Sequence, residues 1–190
     1  PQYANNTFFI TGESYGGHYV PATSFAVFTN NGNLQPGEVA VPLAGFAVGN
    51  GLTVPSIQYE YYPQLAYNWS ITKLGHPVIT LPTYKSMVAG WPSVSKLITK
   101  CQNDTAACAN AQNTGNGVMV EPYEQTGLSP YDISQSCTYP PLCVDMTPVT
   151  NFLNDATTQS ILGIDAANND WQPCNFAVNG GFSSDWCVRG

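Results

Sequence analysis

Five residues constrain this chain more than any others: Gly12-Glu13-Ser14-Tyr15-Gly16, a G-x-S-x-G pentapeptide. Its weight comes from its flanks. Thr7-Phe8-Phe9-Ile10-Thr11 is a β-branched and aromatic run halted by Gly12, the pattern of a short buried strand with neighbours on both sides. Beyond the turn, Ala22, Phe25, Ala26 and Phe28 recur at helical spacing up to Asn30-Asn31-Gly32, and Pro21 is expected to confine regular helix to either side of it. A serine on so sharp a turn is forced into a strained backbone conformation with its hydroxyl exposed. The glycines two before and two after it leave room against the neighbouring strand and helix. The helix start adds partial positive charge and N–H groups, of which that of Tyr15 is placed to donate to an oxyanion. Ser14 is therefore the candidate nucleophile.

Leu43-Ala44-Gly45-Phe46-Ala47-Val48 is a second buried-strand pattern, ending in Gly49. Strand, helix and strand make a βαβ unit, so the two strands should be parallel neighbours in an α/β sheet. From about Pro55 the character changes. Residues 55–68 are rich in Tyr and Gln. Residues 69–171 mix short helical patterns, Lys85 to Val88 and Val94 to Thr99, with Asn, Gly, Pro and Cys, as an insertion covering a core would. Val149 to Leu162 reads as helix again, and the stretch from Cys174 to Gly190 shows no third strand pattern. The organisation expected is a single domain: a core segment over 1–68, a helical insertion over 69–171 and a return to the core over 172–190.

Composition narrows the surroundings. Of the 190 residues 9% are charged, and five Lys+Arg against twelve Asp+Glu give a net charge of -7, which argues against a grip on nucleic-acid phosphates or anionic lipid. Such a surface suits work at low pH, because it has few ion pairs to lose. Six cysteines at 101, 108, 137, 143, 174 and 187 accompany sequons at Asn5, Asn68 and Asn103, a combination pointing to an oxidising compartment and N-glycosylation. No cysteine spacing is CxxC, and His18 and His76 are the only imidazoles, so neither a metal nor an organic cofactor is called for. No run is long and apolar enough to span a bilayer. No basic-then-apolar leader is present either, so Pro1 is expected to be an internal or processed beginning.

Three blocks carry a resemblance: Phe9 to Pro21 around the pentapeptide, Val48-Gly49-Asn50-Gly51-Leu52-Thr53, and Gln58-Tyr59-Glu60-Tyr61-Tyr62. Together they resemble the serine carboxypeptidases of the carboxypeptidase Y type. The likeness continues more loosely through Tyr131-Asp132-Ile133, Cys137, Cys143, Cys174-Asn175-Phe176 and Asp185-Trp186. It implies an α/β-hydrolase fold with a mostly helical, disulfide-bearing insertion, and release of single residues from peptides with a free C-terminal carboxylate, often best at acidic pH, in the vacuole or outside the cell. It makes Ser14 the nucleophile and Tyr15 an oxyanion-hole N–H. It gives Glu13 a hydrogen bond to the substrate carboxylate that needs a proton, since two facing carboxylates repel unless one is neutral. It places Leu52, Tyr59, Tyr62 and Trp186 around the residue before the scissile bond, although a cluster such as Tyr59, Tyr61 and Tyr62 is also what a core uses.

The same resemblance makes His18 structural, a buried hydrogen-bonding histidine, while His76 reads as a loop residue. In this family the triad Asp and His follow the matched region, and the strands donating the second oxyanion N–H precede it. The chain is thus expected to be a central piece whose partners are the remaining N- and C-terminal parts of the same enzyme. No histidine follows Asp185, so it is a poor substitute for the triad acid. Cys137 and Cys143 match a family bridge across Thr-Tyr-Pro-Pro-Leu, and Cys101 and Cys108 form a second expected pair. Cys174 matches a cysteine whose partner lies outside this stretch, and Cys187 is expected to be a free thiol. A carboxypeptidase-like acyltransferase or esterase, and a non-catalytic carboxypeptidase-like binding protein or inactive fragment, are the alternatives that the fold permits.

Overall fold

A computed structural model describes residues 2–3, 6–165, 170–175 and 177–178. Strand β1 (Phe8–Glu13), helix α1 (Gly16–Asn31) and strand β2 (Leu43–Gly49) form the expected unit, with β1 and β2 parallel and Ile10 opposite Phe46, Gly12 opposite Val48. The chain divides into two compact units, with the division between Gln58 and Tyr59.

One expectation for the first unit is corrected. Helix α1 runs unbroken through Pro21. The proline ring crowds only the carbonyl four residues back, and that residue is Gly17 in the opening turn, where little helix precedes it. Among the described residues the strands form a two-stranded sheet, and Phe9 and Phe46 are 61% and 58% exposed. Ile10 and Gly12 are partly covered, Gly12 by Val20 of α1.

Helix α2 (Pro55–Gln64) leads into a π-helical turn (Leu65–Trp69) and α3 (Ser70–Leu74). Pro63 has no N–H for the carbonyl of Tyr59, and the helix widens soon after it. The widened turn frees the Ala66 carbonyl to accept from Ser70 Oγ at 2.9 Å and from the Val78 N–H at 3.1 Å. In place of two short helical patterns there is one helix, α4 (Leu81–Cys101), capped by the Thr80 side chain and continuous through Pro92. Met87, Val94, Ile98 and Cys101 form a buried stripe along it. This stripe packs beside α5 (Cys108–Met119), whose Cys108, Ala111 and Met119 are buried in turn. Burying each large side chain contributes about 1.5–3 kcal/mol, enough to carry the helix past one proline costing about 3 kcal/mol.

After the short α6 (Glu121–Glu124), a loop leads to α7 (Thr147–Asn154) and α8 (Ala156–Leu162). The sequence reads as one helix there. Asp155 breaks it by leaving helical geometry, ψ 130°, and capping α8 through the Thr158 N–H at 2.9 Å.

Cys101 is bonded to Cys108 and Cys137 to Cys143. Both residues of the first pair are 0% exposed, whereas both of the second are partly exposed. Titration of the native protein with a water-soluble phosphine should therefore open Cys137–Cys143 first, as read by mass spectrometry of alkylated peptides. Equal rates would contradict this order.

Three carboxylates hold loops and caps of the second unit. Asp132 is lowered from its ordinary value by the Ser134 hydroxyl and N–H and by Gln135, Asp145 by the Thr147 hydroxyl and N–H, and Asp155 chiefly by the Thr158 N–H. A depressed folded-state pKa stabilises fully above the unfolded value, and the contribution is lost as pH falls through the folded one. With unfolded aspartate at about 3.9, protection of the Ser134 and Thr158 amides from hydrogen exchange, corrected for intrinsic rates, should stay level from neutrality to about pH 5. It should decline only below about pH 4. Loss of protection already at pH 6 would show that these caps do not govern the loops.

Candidate active site

Ser14 stands between the end of β1 and the first turn of α1 with φ 57°. The left-handed region costs a residue bearing a Cβ roughly 1–2 kcal/mol, so the turn must be held from outside. The Ser14 N–H donates to the Gly49 carbonyl at 3.1 Å. The Ser14 carbonyl accepts from the Gly17 N–H at 3.0 Å and from the Leu52 N–H at 2.9 Å. The segment following β2 thus grips both main-chain polar groups of the serine. The Ser14 side chain is exposed and lies with Glu13 and Tyr15 in an open cleft of about 430 Å³, further lined by Thr11, Tyr19 and Thr23.

The glycines around Ser14 do not all serve as the pentapeptide suggests. A Cβ on Gly12 would lie 2.8 Å from Val20 Cγ2 and 3.2 Å from Gly16 Cα, which matches the expected need for space. A Cβ on Gly16 would meet only Val20 Cγ2, at 3.9 Å, an ordinary contact. The tight position is one residue later. A Cβ on Gly17 would stand 2.6 Å from the Leu52 carbonyl oxygen, and one on Gly51 2.8 Å from Gly17 Cα and 2.3 Å from Val48 Cγ1. Gly17 and Gly51 were not among the residues singled out from the sequence. The doubled Gly16-Gly17 and the Gly49-Asn50-Gly51 turn were the available signals, and Asn50 indeed takes φ 46°.

Glu13 is exposed at the end of β1, opposite Gly49 in the register. Leu52 is partly buried. His18 is half-buried, and its ring contacts are with Tyr15 at 5.5 Å and Tyr19 at 6.1 Å between centroids. It thus packs among aromatic rings where a buried hydrogen-bonding role was expected. His76 lies in an exposed loop.

In the second unit Tyr59 is 4% exposed, and its hydroxyl donates to Asn116 Oδ1 of α5 at 2.6 Å. The Tyr59 and Tyr62 rings are 4.9 Å apart. Tyr62 is half-buried, and burial pushes its phenol above the ordinary value. Tyr61 points to solvent, 60% exposed. Of the three tyrosines, Tyr59 is thus the core residue. Asn68 and Asn103 are exposed. Cys174 is partly buried with a free thiol. Asn5, Asp185, Trp186 and Cys187 lie outside the described residues.

Residues 1–188 match the profile of the serine carboxypeptidase family, nearly the whole chain. The chain belongs to the serine carboxypeptidase family. Serine carboxypeptidase-like 48 of Arabidopsis thaliana is 32% identical over 190 residues, covering 98% of this chain and 35% of that protein. Carboxypeptidase Y of Candida albicans is 33% identical over 192 residues, covering 98% of this chain and 33% of that one. This serine carboxypeptidase chain therefore spans about a third of the length of the curated relatives it matches. The crystal structure of Kex1Δp, a prohormone-processing carboxypeptidase from Saccharomyces cerevisiae, superposes with a TM-score of 0.68 at 22% identity, over 97% of this chain and 40% of that one. That likeness shows the shared fold. Among the described residues no helix is long and apolar enough to cross a membrane.

Proposed function

We propose that this chain supplies the nucleophile of a serine-type carboxypeptidase, with Ser14 attacking the last peptide bond of a peptide that bears a free C-terminal carboxylate. The observation that carries the reading is Ser14 itself: a strained serine at a strand-to-helix junction, its side chain in an open cleft. Attack by Oγ on the carbonyl carbon gives a tetrahedral oxyanion, which the Tyr15 N–H stabilises. The Oγ proton passes to a histidine acting as general base and from it to the departing amine. The C–N bond then breaks, the terminal amino acid leaves, and water hydrolyses the ester left on Ser14. In this reading the triad Asp and His, and the second oxyanion donor, come from sequence outside these 190 residues.

Glu13 in its protonated form hydrogen-bonds the substrate carboxylate, which favours acidic pH. The family resemblance gives Leu52, Tyr59, Tyr62 and Trp186 the role of recognising the side chain before the scissile bond, a set suited to apolar and aromatic side chains. Two disulfides support a compartment of the secretory pathway, vacuolar or exterior. Asn5, Asn68 and Asn103 are the glycosylation sites proposed there.

The test uses the intact protein in which this chain occurs. Fluorophosphonate should label Ser14, and blocked dipeptides should release their C-terminal amino acids at about pH 4 to 6, the range of carboxylate titration and just above it. Absence of labelling would overturn the enzymatic reading. Labelling with cleavage of esters but not of dipeptides would replace the peptidase by an esterase or acyltransferase.

A further inference from the structure

The Ser14 carbonyl and the Tyr15 N–H belong to one peptide group. A trans peptide is planar and its C=O and N–H point in opposite directions, so whatever fixes the carbonyl aims the N–H. Two donors fix it here. The Gly17 N–H, at 3.0 Å, comes from the first turn of α1 and is local. The Leu52 N–H, at 2.9 Å, comes from the far end of β2 and ties the peptide to the sheet. That second bond requires the backbone of Gly51 and Leu52 to lie directly on the first turn of α1. It does so because neither facing residue has a Cβ: one on Gly17 would be 2.6 Å from the Leu52 oxygen, and one on Gly51 would be 2.8 Å from Gly17 Cα. Between Gly49, which accepts from the Ser14 N–H, and Leu52, which donates to the Ser14 carbonyl, the chain reverses through Asn50 at φ 46°. The loop over residues 49–52 therefore closes on Ser14 from both sides.

We infer that Leu52, through its backbone N–H and the Gly17–Gly51 contact that admits it, is a positioning residue for the oxyanion donor of Tyr15. This rests on the reading of Ser14 as nucleophile. The consequence is twofold. The Leu52 bond stops the Ser14–Tyr15 peptide from rocking, so its N–H meets a developing negative charge without reorganising. A carbonyl accepting two hydrogen bonds also polarises its peptide, and the N–H on the same group becomes a stronger donor. Both effects act on the tetrahedral state and not on the bound substrate, so they belong in kcat.

The decisive variant replaces Leu52 by its α-hydroxy acid through nonsense suppression in the intact protein, which removes the N–H and leaves the side chain. Gly17→Ala, which pushes the loop off the helix, is the second. Each is assayed for kcat and KM on a blocked dipeptide, for affinity to a peptide boronate that forms a tetrahedral adduct on serine, and for affinity to the blocked amino acid product. Expected in the hydroxy-acid variant are parallel losses in kcat and boronate affinity of about tenfold or more, with KM and product affinity within about twofold; Gly17→Ala should show the same losses in kcat and boronate affinity, and a higher KM as well, because it displaces the Leu52 side chain. Unchanged kcat and boronate affinity in the hydroxy-acid variant would overturn the inference, as would equal losses for boronate and product. An unmodified protein that neither turns over the dipeptide nor binds the boronate would overturn the reading of Ser14, and the inference with it.

Discussion

Ser14→Ala should abolish fluorophosphonate labelling and reduce dipeptide turnover by about a millionfold, the scale on which a serine hydrolase loses activity when its nucleophile is removed. Substrate binding should survive, because the residues proposed to hold the substrate are untouched. The companion Ser14→Gly separates strain from chemistry. Glycine adopts φ near 57° at no steric cost, which recovers roughly 1–2 kcal/mol, against about 0.5–1 kcal/mol of added chain entropy in the unfolded state. Ser14→Gly should therefore be inactive and yet at least as stable as the parent in a thermal melt. A clearly lower melting temperature would mean that the serine is not strained in solution. Retention of turnover in Ser14→Ala would remove it from the mechanism.

Glu13→Gln should remove most of the pH dependence of KM. In the proposed role, the Glu13 carboxyl donates to the substrate carboxylate only while it carries its proton. KM should therefore climb as pH rises in the parent. An amide donates at every pH, so the variant's KM should be nearly level over about pH 4 to 7, with kcat little altered. The measurement is KM against pH for one blocked dipeptide in both proteins. If the variant keeps the parent's slope, another group reads the carboxylate.

What the sequence made legible was local. Turn glycines, β-branched strand residues and helical spacing around Ser14 each encode their own conformation, so the βαβ order and the strained serine followed from short windows. Long-range packing was hidden. Nothing within a window says that a stripe of Met87, Val94 and Ile98 will meet α5 and carry α4 through Pro92. Nor does it say that Asp155 will prefer capping α8 to continuing α7. The site shows the same limit. Gly17 matters because Leu52 touches it, a contact between segments on opposite sides of β2, and the pentapeptide pattern drew attention to Gly16 instead. Tyr59 could be read equally as pocket or core from its neighbours in sequence. Its bond to Asn116, 57 residues further along, lies outside any such window.

The exposed aromatic rings bear on how this protein can be handled. Phe9 and Phe46 on the sheet, and Phe25 and Phe28 on α1, are 61%, 58%, 70% and 74% exposed. The edge of β1 away from β2 is also unpaired among the described residues. Apolar surface next to an open strand edge drives self-association. Expressed by themselves, these 190 residues are material for inclusion bodies and detergent. Assays of Ser14 therefore belong on the intact protein in which this chain occurs.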